Sequence, residues 1–265
     1  IMVKLIFLLF LLSVRSCSSI NDTDKKLPAI HEPELQGQDT LSWYRPRFKE
    51  RKSEREALVR KGIENYLYHP VKNKKVLDAM RAVPRHLFVP PNAQRQAYGN
   101  HPLSIGYGQT ISQPLIVAHM TELLNIKLGD KILEIGTGSG YQAAVLSELT
   151  PNVYSIEIVE KLGKIAKDRL QDLGYNTIKV KIGDGYFGWK EFAPFDGIIV
   201  TCAPENIPQS LIDQLKPGGK IVIPVGGVNQ LQILVVVEKD KKGNLREKKQ
   251  YPVRFVPMTG KAMEK

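Results

Sequence analysis

"KILEIGTGSGYQ", residues 131–142, decides how the rest of the chain is read. "KILEI" has the β-branched and apolar texture of a short strand, and an amphipathic segment from Tyr141 to Leu149 has the texture of a helix. Between them stand Gly136, Thr137, Gly138, Ser139 and Gly140. Glycine at alternate positions lets the backbone turn sharply and lets a ligand approach it closely. The amides opening the next helix favour a negative or electron-rich group. The dinucleotide fingerprint needs glycine at its first, third and sixth positions. Tyr141 occupies the sixth, so the loop points away from a nicotinamide cofactor.

Downstream the same unit recurs. "NVYSIEI" (152–158), "IKVKI" (178–182), "DGIIVTC" (196–202) and "GKIVIPV" (219–225) read as strands, with helices expected over Glu160–Leu173 and Pro208–Leu215. Strand and helix alternating at this spacing predict right-handed crossovers and a mostly parallel α/β sheet. Glu157 falls at the end of the second strand, where a carboxylate can accept both hydroxyls of a ribose, and "GDG" (183–185) falls at the end of the third. "LQILVVVEK" (231–239) and "LREKKQYPVRFVP" (245–257), joined by "DKKGN", predict an antiparallel hairpin closing one edge. Its basic turn keeps that edge soluble.

Upstream of the loop the texture is helical. "REALVRKGIENYL" places Leu58, Ile63 and Leu67 near one face, and "NKKVLDAMRAVPRHLF" opens on Asn73 as an N-cap and is ended by Pro84. "SQPLIVAHMTELLNI" reads as a further helix with Pro114 in its first turn and Ile116, Met120, Leu123 and Leu124 on its apolar face. "YGQTISQP" (107–114) reads as a polar loop.

Met2–Val14 has Lys4 before a short apolar run and small residues after it, the layout of an export signal, and "VRSC" (14–17) also resembles a lipoprotein processing site. The run is shorter than the roughly 20 residues of a membrane span. Residues 20–45 carry Pro28, Pro33 and Gly37 and read as a linker or disordered arm. The division expected is therefore a signal-like segment over 1–19, an arm over 20–45 and one domain over 46–265. Within that domain lie a helical lead-in (54–87), a core (107–226) and a hairpin (231–257).

Charge and cysteine content narrow the class. Lys and Arg total 38 against 27 Asp and Glu, a net +11, but the basic stretches 43–85 and 239–249 are interleaved with acids and carry no nucleic-acid motif. No nucleic-acid partner is expected. Cys17 and Cys202 make no disulfide framework, and Cys202 sits in an apolar run that reads as buried. His31, His69, His86, His101 and His119 have no metal-ligand spacing, so no metal is expected.

Glu134, Gly136, Gly138, Glu157, "GDG" and "LKPGGKIVIPVG" (215–226) resemble the S-adenosylmethionine-dependent methyltransferases. Six stretches narrow the resemblance: "AVPRHLFVP" (82–90), "YGQTISQP" (107–114), "LEIGTGSGYQAAVL" (133–146), "FDGIIVTCAP" (195–204), "PQSLIDQLKPGG" (208–219) and "RFVPMTG" (254–260). In this order, over residues 55–260, they are similar to the protein-L-isoaspartate O-methyltransferases. The resemblance implies a Rossmann-like methyltransferase sheet, mostly parallel, with an antiparallel C-terminal hairpin and a helical N-terminal lead-in. It implies S-adenosyl-L-methionine as cofactor, S-adenosyl-L-homocysteine as product, and the α-carboxylate of L-isoaspartyl residues in damaged proteins as acceptor.

By position, the resemblance assigns Gln109, Thr110, Ile111 and Ser112 to a cofactor and active-site loop, with Ser112 the active-site serine. It assigns Gly136–Gly140 to the methionine-moiety loop, with Glu134 of the same motif among the cofactor-binding residues, Glu157 to the ribose, Asp184 and Gly185 to the adenine, and Thr259 to the site's C-terminal side. Glu264 and Val117 depart from residues that some members carry. A monomer in the cytoplasm is implied, with export or lipid anchoring the alternative if Met2–Cys17 works as a signal. A small-molecule methyltransferase and a non-catalytic cofactor-binding module are the alternative functions. A serine nucleophile would need a histidine base and an orienting acid. The sequence shows no such set, which leaves Ser112 as an orienting group acting through its hydroxyl or its backbone.

Overall fold

The computed structural model describes residues 43–228 and 230–264. The signal-like segment and most of the arm, residues 1–42, lie outside the described residues. Among the described residues the first helix is α1 (Lys52–Ala57), which runs on through a π-helical turn over Leu58–Glu64. Helix α2 (Lys74–Ala82) follows, its first amides satisfied by the Asn73 carbonyl oxygen Oδ1, which accepts from Lys75 N and Val76 N. Val83 then turns to an extended conformation ahead of Pro84 and ends the helix.

Strands β1 (Leu103–Gly106) and β2 (Gln109–Ile111) form a separate two-stranded hairpin. Helix α3 (Pro114–Leu124) starts on its proline and stops at Asn125 in the left-handed conformation. The alternating unit follows as β3 (Lys131–Ile135), α4 (Tyr141–Ser147), β4 (Asn152–Glu157), α5 (Glu160–Asp172), β5 (Lys179–Ile182), β6 (Phe195–Val200), α6 (Gln209–Asp213) and β7 (Leu215–Val225). Strands β8 (Gln232–Lys239) and β9 (Leu245–Val253) complete the sheet.

The seven-stranded sheet has the order β5-β4-β3-β6-β7-β8-β9, parallel from β5 to β7 and antiparallel from β7 to β9. Its inner strands are buried on both faces. Ile132, Val153, Ile199, Val222 and Val236 join the cluster that also holds Leu58, Met80 and Met120. Leu133, Ile156, Ile198, Ile221 and Val235 join the opposite cluster with Trp189 and Leu211. Each fully buried aliphatic side chain contributes about 1.5–3 kcal/mol, so the sheet centre is the rigid part of the molecule. Strand order reverses between β3 and β6, the sheet growing one way through β4 and β5 and the other way through β6 and β7, and the rim above that switch point is where open α/β sheets bind ligands.

Several expectations are corrected. Residues 109–111 are not loop but the second strand of a hairpin, because Leu103 pairs with Ile111 and Ser104 with Thr110. Leu67 leaves the helical face and is 81% exposed, since the π turn ends at Glu64. The buried face of α3 is Val117, Met120, Thr121 and Leu124, while Ile116 and Leu123 are half-buried. Helix α6 is shorter than expected and β7 starts earlier, at Leu215. Trp43 Nε1 donates to the Ser147 carbonyl at 2.8 Å, and Arg47 pairs with the buried Glu148 at 3.0 Å.

Candidate functional site

The floor of the site is the turn after β3. Gly136, Gly138 and Gly140 have φ of 96°, 54° and 88°, a region that L side chains rarely adopt. At Gly136 space is as restrictive as conformation. A Cβ there would lie 2.5 Å from Thr201 Oγ1, the hydroxyl that sits within hydrogen-bond distance of the Ile135 and Gly136 carbonyls (3.0 and 2.8 Å). Gly136 N and Thr137 N both donate to the Ile156 carbonyl, at 2.8 and 3.2 Å, and Arg169 Nη1 donates to the Ser139 carbonyl at 2.9 Å. The turn is thus anchored to β4, to the residue after β6 and to α5.

Glu157, at the end of β4, holds the next edge of the floor. Its Oε2 accepts from Gly138 N at 2.7 Å and its Oε1 from Val159 N at 2.9 Å. Beneath the floor, Glu134 pairs in register with Ser155 and is fully buried. Ser155 Oγ donates to Glu134 Oε2 at 2.5 Å, Thr137 Oγ1 lies 2.6 Å from Ser155 Oγ, and Glu134 Oε1 has no hydrogen-bond partner among the described residues. Burial pushes the Glu134 carboxyl up to about 8, against the pull of the Ser155 bond.

The roof comes from both ends of the chain. The β1–β2 hairpin lays Ile105 over the floor, its Cδ1 3.5 Å from where a Cβ on Gly138 would lie. Opposite it runs the strap 252–259. Gln232 brackets Phe255, accepting from its amide at 2.6 Å and donating to its carbonyl at 3.1 Å. Ala203 N donates to the Val256 carbonyl and accepts, through its own carbonyl, from Met258 N, both at 2.8 Å. Asp184 accepts from Tyr186 N at 2.9 Å and from Lys261 N at 2.8 Å, tying the chain end to β5.

Two spaces lie between floor and roof. A narrow cleft of about 50 Å³ is lined by Gln109, Thr110, Gly136 and Gly138, and on its far side by Glu157, Gly185 and Thr259. A larger cavity of about 500 Å³ is lined by Ser112, Gln113, Ile116, Arg254 and Phe255 among others. Thr110, Thr201 and Val256 line both. Of the residues expected at the site, Ser112 therefore faces the larger cavity and not the cleft. Ile111, Glu134, Thr137, Ser139, Gly140 and Asp184 line neither space; Ile111 packs in the core and the others support the floor or the chain end.

Cys202 departs from the buried role expected of it. It is half-buried on the cleft wall, where desolvation, Glu157 and Asp184 push its thiol up to about 12. Thr201, Arg169, Ser155 and Val256 were not singled out in the sequence. Their positions depend on partners 18 to 66 residues away, and only the nearness of Thr201 to the end of "DGIIVT" signals a rim position. Among the described residues no histidine hydrogen-bonds to Ser112: His119 Nδ1 is 2.5 Å from Tyr251 Oη, and His101 Nδ1 is 3.1 Å from the Pro102 carbonyl. No group of three potential metal-ligating side chains occurs among the described residues.

A sequence model of the protein-L-isoaspartate(D-aspartate) O-methyltransferases matches residues 53–263. The protein-L-isoaspartate O-methyltransferase 2 of Syntrophobacter fumaroxidans is 57% identical over 186 residues, 70% of this chain and 75% of that protein. Protein-L-isoaspartate O-methyltransferase 1 of Nitrosospira multiformis is 58% identical over 185 residues, 70% of this chain and 78% of its own length. A solved chain from Plasmodium falciparum, described as a candidate protein-L-isoaspartate O-methyltransferase in complex with S-adenosyl-L-homocysteine, superposes with a TM-score of 0.67 at 25% identity, covering 78% of this chain and 97% of that one.

Proposed function

The chain belongs to the protein-L-isoaspartate(D-aspartate) O-methyltransferase family, and from that premise we propose how its two spaces divide the reaction. The enzyme methylates L-isoaspartyl residues with S-adenosyl-L-methionine and so initiates their repair. The narrow cleft takes the cofactor and the larger cavity takes the isoaspartyl residue. The observation that carries this division is the set of three residues, Thr110, Thr201 and Val256, common to both walls. Groups held in the two spaces meet there.

The cleft residues fit the cofactor. The Gly136 turn leaves room that a Cβ would fill, and Glu157 presents a carboxylate suited to paired hydroxyls. The cleft, about 50 Å³, is narrow for a nucleoside, and outward movement of the Val256–Thr259 roof is the expected way to admit one. Faster hydrogen exchange at Met258 during cofactor exchange is the expected sign, and an unchanged rate would count against it.

When bound, S-adenosyl-L-methionine supplies a methyl group already carried on a sulfonium leaving group. The acceptor carboxylate has an ordinary pKa near 4 and is ionised at neutral pH, so no residue of the chain needs to act as a base. The work left to the protein is to hold, orient and dry the reactants. Glu157 and the Gly136–Gly140 turn hold one side. Ser112, with no histidine partner, orients the carboxylate, and the hydroxyls of Thr110 and Thr201 stand at the junction. Ile105 and Val256 exclude water from above.

Labelled S-adenosyl-L-methionine offered with paired peptides, aspartyl and isoaspartyl, tests the function. Methyl transfer to the isoaspartyl peptide alone is expected, and transfer to neither overturns it. No described helix is long and apolar enough to cross a membrane. We read the enzyme as a cytoplasmic monomer, in keeping with where its cofactor is made. Recovery in the soluble cell fraction and a single-chain sedimentation mass would support this, and a lipid adduct on Cys17 would contradict it.

A further inference from the structure

We propose that Arg254 is the residue that recruits the substrate's negative charge, holding the isoaspartyl carboxylate at the mouth of the larger cavity and releasing it once it is esterified. The proposal rests on the assignment of that cavity to the isoaspartyl residue. Among the cavity's lining residues Arg254 is the one ionisable side chain; the polar remainder, such as Thr110, Ser112, Gln113 and Thr201, is neutral. Its guanidinium has neither an ion pair nor a hydrogen bond among the described residues, unlike the buried Arg55 or the paired Arg47. Its backbone, by contrast, is fixed. Phe255 next to it is bracketed by Gln232, and Val256 and Met258 are tied to Ala203. An exposed cation on an anchored strap, facing an otherwise neutral cavity, is preorganised for an anion.

The chemistry explains why the cation belongs at the mouth. The carboxylate oxygen forms a bond to the methyl carbon as the carbon–sulfur bond breaks, so a negative and a positive charge are both lost. A guanidinium paired tightly with the reacting oxygen would favour the charged ground state and oppose transfer. A guanidinium at the entrance attracts the carboxylate and has no charge to hold once the ester forms. Arg254 is therefore a specificity and turnover residue, acting on substrate entry and product exit, while the half-buried Ser112 positions the oxygen.

Arg254→Gln and Arg254→Lys test this beside the unaltered enzyme, with an isoaspartyl peptide and its neutral isoasparaginyl isostere. The expected result for Arg254→Gln is a KM for the isoaspartyl peptide raised about tenfold at low ionic strength, a kcat within about threefold, and convergence of the two enzymes at about 0.5 M salt. Calorimetry with S-adenosyl-L-homocysteine present should show the unaltered enzyme preferring the charged peptide to its isostere, and Arg254→Gln losing that preference. Arg254→Lys should recover part of it. An unchanged KM and salt dependence overturns the proposal. So does a loss confined to kcat, or a loss of cofactor binding or melting temperature, which would make Arg254 part of the transition-state site or of the fold. Failure of the unaltered enzyme to methylate the isoaspartyl peptide would instead sink the functional reading beneath it.

Discussion

Gly136–Gly140 and the strap 252–259 face each other across one cleft, yet they are held in opposite ways. The floor is fixed by its own backbone: positive φ at three glycines, with amides feeding the Ile156 carbonyl and Glu157. The strap is fixed by distant side chains and loop backbone, with Gln232, Ala203 and Asp184 reaching it or the residues just beyond it from other segments. A floor of this kind has one conformation. A roof hung from a few hydrogen bonds, each contributing about 0.5–1.5 kcal/mol net, can open locally without unfolding the sheet. That difference suits a site that must keep a cofactor pose constant while admitting polypeptides of varied sequence.

The harshest break of this contrast is Gly136→Ala. The new Cβ would meet Thr201 Oγ1 at 2.5 Å while the residue is held at a φ of 96°. Strain of about 1–3 kcal/mol, added to the clash, should lower the melting temperature by several degrees and, by displacing the floor, lower cofactor affinity and kcat/KM roughly a hundredfold. Calorimetry with S-adenosyl-L-homocysteine and the peptide assay read both. Near-normal activity would mean that the floor is as pliable as the roof.

A milder change separates the two spaces. Ser112 lines the larger cavity alone, so Ser112→Ala should reduce kcat/KM for the isoaspartyl peptide about tenfold, the scale of one lost hydrogen bond to a charged group. Cofactor affinity should stay the same, and intact-protein mass spectrometry during turnover should show no covalent adduct. A fall in cofactor affinity would merge cleft and cavity into one site, and a methyl- or acyl-serine would restore the nucleophile reading that the histidine positions argue against.

The same contrast explains what the sequence revealed. The sheet, the glycine turn, the place of Glu157 and the Asn73 cap follow from rules acting over a few residues, and they were legible. The division of labour among the expected site residues was not. Ser112 and Thr110 are two residues apart, yet Ser112 lines only the larger cavity and Thr110 lines both: Thr110 is paired within the hairpin, and Ser112 lies beyond the strand's end at Ile111. Reading 107–114 as loop hid that boundary. Arg254 looked like one more cation in a basic tail, and its place in a neutral cavity depends on a bracket from Gln232, 22 residues earlier, onto its neighbour Phe255. The carboxylate at position 134 carries a methyltransferase motif, but its strand register turns it away from the cleft, under the floor.

That buried carboxylate gives the quietest test, because it should alter the floor's pH response more than its catalysis. Glu134 is raised from an ordinary 4.5 to about 8 by burial. Between those values the folded enzyme keeps a proton that the unfolded chain has released. The stabilisation is therefore complete below about pH 4.5 and declines as pH rises through about 8. Glu134→Gln replaces the protonated carboxyl with a neutral amide that can still face Ser155 and is indifferent to pH. Melting curves of the two proteins should nearly coincide at pH 5 and separate progressively by pH 8.5, with the variant the more stable by about 2–4 °C for each kcal/mol the ionised carboxylate costs. Parallel curves across that range would show that Glu134 is already ionised in the fold, with an unseen partner for the oxygen that now has none. The floor would then be held by a buried charge and not, as its hydrogen bonds indicate, by a neutral chain from Thr137 through Ser155 to Glu134.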